Sequence, residues 1–189
     1  AKNNSCLFGG KQTILSGYSL NKLKITYMSV PAVNPNPCRM RLVHNHKGAI
    51  LSSFSNISAK VPAVCDSVVM CFQEQRRENV VIEDNLQLDK PNNIKEVQYL
   101  FNDSNNEFIT YKMDDKGEML ERFTNAMSKS GHSELVGGRL NGDGAFGLGL
   151  DFRNFVDLSN NKFNVQLNSD IDGTNPYNVY MYFSSVISV

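Results

Sequence analysis

The sequence predicts an all-β fold, a jelly-roll β-sandwich of about eight to ten strands with one short helix. Two observations lead to this class. In several segments apolar residues occupy every second position, which places one face of a strand in a core and the other in solvent. Residues that favour turns, mainly Gly, Pro, Asn and Asp, separate these segments at spacings of about 8–15 residues, as in β-sandwiches. The chain has 189 residues, enough for a full hydrophobic core, so we expect a single jelly-roll domain over residues 1–189.

The first part of the chain supplies the earliest predicted strands. We expect a short edge strand at residues 12–15 and a half-buried strand at 20–30, where the apolar residues at 23, 25 and 27 alternate with polar neighbours. Prolines at 31, 35 and 37 predict a loop. A strand at 39–43 then leads into a predicted turn at 44–48, and further strands follow at 57–61 and 66–72.

The middle of the chain predicts a hairpin and the one helix. After a polar connection at 73–79, strand segments are expected at 86–88 and 94–101, and a turn at 102–106 joins the latter to a strand at 107–113. The helix is expected near 116–129, because Asp115 is a suitable N-cap with Glu118 three residues later. Its residues Leu120, Phe123 and Met127 fall on one face, which indicates packing rather than a ligand site.

The last part of the chain has the clearest strand pattern and predicts three strands. Alternation is regular at residues 145–152 and 162–168. The run at 177–189 is longer and more apolar, as expected of a central strand. In such a strand Val179, Met181 and Phe183 would face one side, while Tyr180 and Tyr182 would face the other.

The charged residues are balanced in number but unevenly distributed. Lys and Arg total 19, as do Asp and Glu, yet residues 1–65 contain eight Lys or Arg and no Asp or Glu. This polarity is compatible with contact to nucleic acid or membrane, with pairing between the two parts of the chain, or with complementary surfaces between copies. Nucleic-acid binders usually carry a net positive charge and this chain has none, so nucleic acid is disfavoured while membrane contact is left open.

The cysteines give little support to a zinc or redox site. Cys6, Cys38, Cys65 and Cys71 form no C-x-x-C pair. We expect free, buried thiols instead, since cysteine is among the most often buried residue types.

Two patterns were considered as metal sites. His44 and His46 would share a face of an extended segment and could bind a metal with His132, but no carboxylate or cysteine spacing supports this site. Residues 168–173, Asn-Ser-Asp-Ile-Asp-Gly, match the opening of a calcium loop, yet the twelfth position is Val179 rather than Glu and strands flank the loop.

No catalytic motif is present in the sequence. It contains no nucleophile elbow, zinc pattern or paired carboxylates at a defined spacing, and Gly-Asp-Gly at 142–144 is too short for a phosphate loop. We therefore assign no catalytic residue, no cofactor-binding residue and no metal ligand. We expect no cofactor and no enzymatic activity.

Three stretches carry a resemblance to a known family. The first leads from Val-Pro-Ala at 61–63 into Val-Val-Met-Cys-Phe-Gln at 68–73. The second is Asn-Ile-Lys-Glu-Val-Gln-Tyr-Leu-Phe-Asn at 93–102, followed by the helix. The third and strongest runs from Gly-Ala-Phe-Gly-Leu-Gly-Leu-Asp-Phe at 144–152 through 157–159 and 163–167 to the Tyr-rich closing strand. In style and order, over most of residues 60–189, the chain resembles the upright jelly-roll capsid proteins of icosahedral DNA viruses, the lineage of the adenovirus hexon, virophage and Polinton-type major capsid proteins.

The resemblance implies a structural protein of the virion that assembles inside the host cell with copies of itself and with other capsid proteins. It further implies a trimer or pentamer within the shell and no small-molecule substrate. The major capsid proteins of this lineage carry two jelly rolls per chain, whereas this chain has room for one. It could thus be half of such a protein, a separated fragment, or a single-jelly-roll capsid or vertex protein. The alternative is a non-catalytic receptor- or carbohydrate-binding β-sandwich with Tyr180 and Tyr182 as a platform. The chain has no Trp, and packing is the favoured role for these tyrosines.

Overall fold

The computed structural model describes residues 22, 24–27, 39–61, 63–78, 89–91, 93–101, 110–129, 146–160 and 162–188. Within these ranges lie eight β-strands, one α-helix and a short 3-10 turn at Gln75–Arg77. The strands and the helix are β1 (Arg39–Ile50), β2 (Phe54–Lys60), β3 (Val64–Glu74), β4 (Glu96–Phe101), β5 (Thr110–Met113), α1 (Lys116–Lys129), β6 (Gly147–Asp157), β7 (Lys162–Asn168) and β8 (Tyr177–Ser188).

The eight strands form two four-stranded sheets with the order of a jelly roll. One sheet runs β1-β8-β3-β6 and the other β2-β7-β4-β5, and every neighbouring pair is antiparallel. The first strand pairs with the last, the second with the seventh, the third with the sixth and the fourth with the fifth, as in one long hairpin rolled into a sandwich. The predicted jelly-roll sandwich with one short helix is confirmed.

The core lies between the two sheets and is built by the inward residue of each alternating pair. β8 is a central strand between β1 and β3, and its Val179, Met181 and Phe183 are fully buried. The Phe163 ring of β7 lies at the centre of an aromatic cluster, with neighbouring ring centroids 5.1–5.9 Å away on β4, β6 and β8. The expectation that Tyr182 faces the opposite side is also confirmed, since it is 40% exposed.

The helix covers part of the outer face of the β1-β8-β3-β6 sheet. The Asp115 carboxylate accepts a hydrogen bond from the Glu118 backbone N–H at 2.9 Å, which confirms the predicted N-cap. Phe123 packs against Val69 of β3 and lies over Gly147 of β6. β6 presents glycine rather than a side chain on this face, and the resulting recess accommodates the helix.

Two predictions about the first strands were wrong. The expected turn at 44–48 lies in the middle of β1, where every residue pairs with β8. Long-range pairing has overridden local turn preference there. The strand predicted at 20–30 is absent from its described part, because residues 24–27 are irregular and Ile25 and Tyr27 are 80% and 83% exposed. The expected segments at 12–15, 86–88 and 102–106 lie outside the described residues.

The remaining boundaries agree with prediction more closely. β7 occupies the predicted 162–168, and β4 and β5 form the predicted hairpin. β2 and β3 are each longer than expected, and β6 runs on to Asp157 through an irregular stretch in which Arg153 has a φ of 62°. No helix in the described part of the chain has the length and apolar character needed to cross a membrane.

Candidate functional site

The interior of the sandwich is filled by side chains. The largest fully buried side chains, all below 2% exposed, are Tyr99, Phe72, Phe163, Phe183, Ile50, Met70, Leu148, Leu150, Leu158, Leu167 and Met181. A small surface cleft of about 50 Å³, beside the first turn of α1 and the start of β6, has room for little more than water. A ligand site within the described part of the protein is therefore to be sought on its outer faces and edges.

The histidine pair lies on β1, where the structure brings together only part of the pattern considered. His44 and His46 are both half-buried on the same side of the strand, and the Nε2 atom of His44 lies 3.1 Å from the Ser185 hydroxyl. His132 lies outside the described residues. Among the residues that are described, no three of the types His, Cys, Asp and Glu come together in a way that could hold a metal ion.

The carboxylates of the 168–173 loop are engaged in separate contacts. Asp170 forms an ion pair with Lys95 and accepts a hydrogen bond from the Asn93 amide at 2.8 Å, and these contacts hold its pKa below the usual value. Asp172 accepts hydrogen bonds from the hydroxyl and backbone N–H of Thr174, at 2.5 and 3.0 Å, and these likewise lower its pKa. The geometry is that of a self-capped turn.

The two described cysteines are free thiols without the features of reactive ones. Cys65 is buried, and burial, together with the nearby carboxylates of Asp66 and Asp157, raises its pKa to about 12. Burial raises the pKa of Cys71 to about 11. Both thiols are thus protonated near neutral pH, and the thiolate is the nucleophilic form.

The basic first part of the chain pairs with the acidic remainder inside the fold. Arg41 of β1 donates to the buried carboxylate of Asp66 at 3.2 Å and to the Ser184 hydroxyl at 3.0 Å. Lys47 donates to Glu78 at 2.5 Å. Two of the charges that made the sequence look polarised are therefore neutralised within one molecule.

The tyrosines of β8 occupy the outer face of their sheet next to β1. The Lys47 ammonium lies 5.9 Å from the centroid of the Tyr180 ring, and Tyr180 is half-buried beside it. Tyr182 is the more accessible of the two and pairs with the exposed Asn45. The arrangement therefore offers one open ring rather than a two-ring platform.

The edge strand β1 exposes apolar side chains on both of its faces. Met40 and Leu42 are 48% and 36% exposed on the side that faces the sandwich interior, and Val43 is 62% exposed on the other. The described partner of β1 in the sheet is β8 alone. A strand edge with exposed apolar side chains and no pairing partner among the described strands is suited to contact with another protein surface.

The outer face of the β2-β7-β4-β5 sheet is rich in side-chain amides, a feature that the sequence analysis did not identify. Asn56 of β2, Gln166 of β7 and Gln98 of β4 lie opposite one another in a single row across three strands. Asn168 and Asn164 flank this row on β7. The available signal was the outward position of each amide in its own strand, but only the register aligns them.

The sequence matches no protein-family model and no curated protein.

Proposed function

We propose that the protein is a structural subunit of an icosahedral viral capsid, built on one jelly roll and assembling with copies of itself and with other capsid proteins. The observation that carries the proposal is the complete jelly-roll strand order around a filled interior. Jelly rolls serve as capsid and lectin domains and as cupins. A site inside the sandwich needs open space there, so the filled interior favours the functions that use the outside of the fold.

The edge strand β1 is the surface that we assign to contact between copies. Its Met40, Leu42 and Val43, with Tyr182 of the adjacent strand, provide apolar area beside a strand edge with which no other described strand pairs. Such an edge is a liability in a protein that stays alone, because it can pair with other chains. In a closed shell the same edge is covered by a symmetry-related neighbour.

The proposal extends to the place of the protein in the particle. The chain belongs to the virion of a DNA virus, is assembled in the host cell, and is either one half of a double-jelly-roll major capsid protein or a single-jelly-roll capsid or vertex protein. The length of the parent open reading frame distinguishes the two forms, since a second jelly roll in the same frame identifies the first. Neither form involves a small-molecule substrate.

Multi-angle light scattering and electron microscopy of the purified chain test the proposal. We expect trimers, pentamers or larger shells whose population rises with protein concentration. Val43→Asp places a charge on the proposed contact and should shift the population to monomer. Phe54→Ser is the matched control, because Phe54 is 60% exposed, against 62% for Val43, but lies on the other sheet. A strict monomer at high concentration would contradict the proposal, and so would equal loss of assembly in both variants.

A further inference from the structure

A segment that precedes β1 has the pattern of a strand but belongs to neither sheet. Residues 24–27 read Lys-Ile-Thr-Tyr, with polar and apolar side chains at alternate positions. Their backbone is irregular, and Ile25 and Tyr27 are 80% and 83% exposed, the most of any large hydrophobic side chains in the described part of the chain. In an extended strand, residues two apart lie on one face. The segment therefore offers an apolar strand face that its own described fold leaves uncovered.

The edge of β1 has room for a strand of this kind. β1 pairs with β8 on one side, and no other described strand pairs with it on the other. Its inward residues Met40 and Leu42 are 48% and 36% exposed, whereas the inward Phe183 of the neighbouring strand is fully buried. His44 and His46 on the same face of β1 are half-buried. An additional strand beside β1 would cover this part of the inward face.

The other three edges of the two sheets are less suited to an added strand. β5 has only four residues, and β6 contains Arg153 with a φ of 62°, which interrupts its edge. The inward residues of β2 are all buried already. Short strands and irregular backbone are common ways of blocking a sheet edge. β1 has twelve residues in unbroken register with β8, and its Arg41 and Lys47 are paired with Asp66 and Glu78.

The sequence between the segment and β1 favours pairing with β1 of another copy. These eleven residues, 28–38, include Pro31, Pro35 and Pro37. Proline has a fixed φ and no backbone N–H, and proline-rich connections are extended, at about 3 Å per residue. Such a connection can reach about 30 Å, and it disfavours the reversal that would bring the segment back onto its own β1. In the single chain residues 24–27 stay outside both sheets.

We propose that residues 24–27 of one copy add a short strand to the free edge of β1 in a second copy, with Ile25 and Tyr27 on its inward face. There the two side chains cover Met40 and Leu42 of the second copy. Main-chain pairing supplies the attachment, and the alternate side chains set which face is buried. The inference deepens the proposed function and rests on it, because it names the partner of the β1 edge when copies assemble.

Disulfide trapping between full-length chains tests which residues meet. Chains with Ile25→Cys are mixed with chains that carry Met40→Cys or Leu42→Cys and are oxidised, and mass spectrometry identifies the linked peptides. We expect a linked dimer through position 25 in at least one mixture, because opposite residues of neighbouring strands share a face. Val43→Cys, on the other face of β1, is the control and should give no more than about a tenth of that yield.

Three results of this trapping experiment would overturn the inference. The first is the absence of any link through position 25 to position 40 or 42. The second is an equal yield with Val43→Cys, since the contact would then not follow the faces of a strand. The third is a bond that forms only within one molecule in a chain with both Ile25→Cys and Leu42→Cys, since the segment would then pair with its own β1.

The double variant Ile25→Ser with Tyr27→Ser tests the effect on assembly by light scattering. Both positions are exposed in the single chain, so the melting temperature should be unchanged, while self-association should weaken about tenfold or more because apolar burial is lost. Lys24→Gln with Thr26→Ser, on the other face of the same segment, is the matched control and should assemble as the wild type does.

The outcomes separate this inference from the capsid proposal. If the wild type assembles and the double serine variant assembles equally well, or if both double variants lose assembly equally, the inference is overturned and the capsid proposal stands. If the trapped contact forms but the wild type gives only a dimer and never trimers, pentamers or shells, the capsid proposal is overturned and the strand exchange stands.

Discussion

The contact between α1 and β6 predicts a loss of stability for Gly147→Ala whose size depends on Phe123. A Cβ atom at Gly147 would lie 2.5 Å from Cζ and 2.6 Å from Cε2 of Phe123, well inside the ordinary carbon–carbon contact of about 3.5–4.0 Å. Gly147→Ala must therefore displace the Phe123 ring, which is 4% exposed. Burying a phenylalanine side chain is worth about 1.5–3 kcal/mol, and alanine recovers about 0.5–1 kcal/mol over glycine within a strand.

The expected net cost of Gly147→Ala is about 1–2 kcal/mol of unfolding free energy, a large part of the 5–15 kcal/mol typical of a native domain. In a Phe123→Ala background the ring is gone, and the closest remaining contact is the Met70 carbonyl oxygen at 3.1 Å. The same glycine substitution should then cost clearly less, and the remaining cost would come from the closeness of that backbone oxygen. Urea unfolding of the four proteins of this cycle measures the difference.

Gly173→Ala provides the control, because a Cβ there would meet nothing closer than the Leu51 carbonyl oxygen at 3.9 Å. It should change the stability by no more than about 0.5 kcal/mol. An equal cost of Gly147→Ala with and without Phe123 would refute the reasoning, since the steric clash would then not be the cause.

Three further predictions concern the core and one loop. Val179→Asp, at a fully buried position of β8, should yield insoluble or unfolded protein, because an unpaired charge there costs several kcal/mol. Tyr182→Asp, on the outer face, should stay folded. Equal thermal stability of the two variants would show that β8 is peripheral. Tyr99→Phe should leave the unfolding free energy unchanged or raise it by up to about 1 kcal/mol, because the buried Tyr99 hydroxyl has no hydrogen-bond partner among the described residues. A loss above about 2 kcal/mol in urea unfolding would instead reveal a hydrogen-bond partner. The pKa of Asp172 is lowered in the folded state, so its contribution to stability is complete above the unfolded pKa of about 3.9 and is lost as the pH falls through the folded pKa. Asp172→Asn should therefore make the stability depend less on pH below about pH 4, as measured by acid unfolding followed by circular dichroism. An unchanged pH dependence would contradict this.

The charge distribution illustrates how a sequence statistic changes meaning on folding. Residues 1–65 hold basic side chains and no acidic ones. In the structure β1 lies beside β8 and near β3, so Arg41 reaches Asp66 and Lys47 reaches Glu78. One of the explanations considered for the uneven charge was pairing between the two parts of the chain. That explanation accounts for these two charges without a nucleic-acid or membrane partner.

Features that depend on near neighbours along the chain could be predicted from the amino-acid pattern alone. Period-two alternation placed Val165 and Leu167 on the inner face of β7 and predicted the bounds of that strand. The Asp115 cap predicted the start of α1, since an N-cap acts within three residues. Local signals failed where distant pairing was stronger. Residues 44–48 were predicted as a turn, but they lie within β1 because β8 pairs with every one of them.

The identity of neighbouring strands, and the set of side chains on each outer face, depend on the folded arrangement. Alternation tells which side of a strand is buried, but strand partners and register depend on contacts between residues far apart in the chain. Gly147 could therefore be predicted as a residue of a strand, but its contact with the Phe123 ring could not. For the same reason Asn56, Gln98 and Gln166 became a single row only when β2, β4 and β7 were brought together in register.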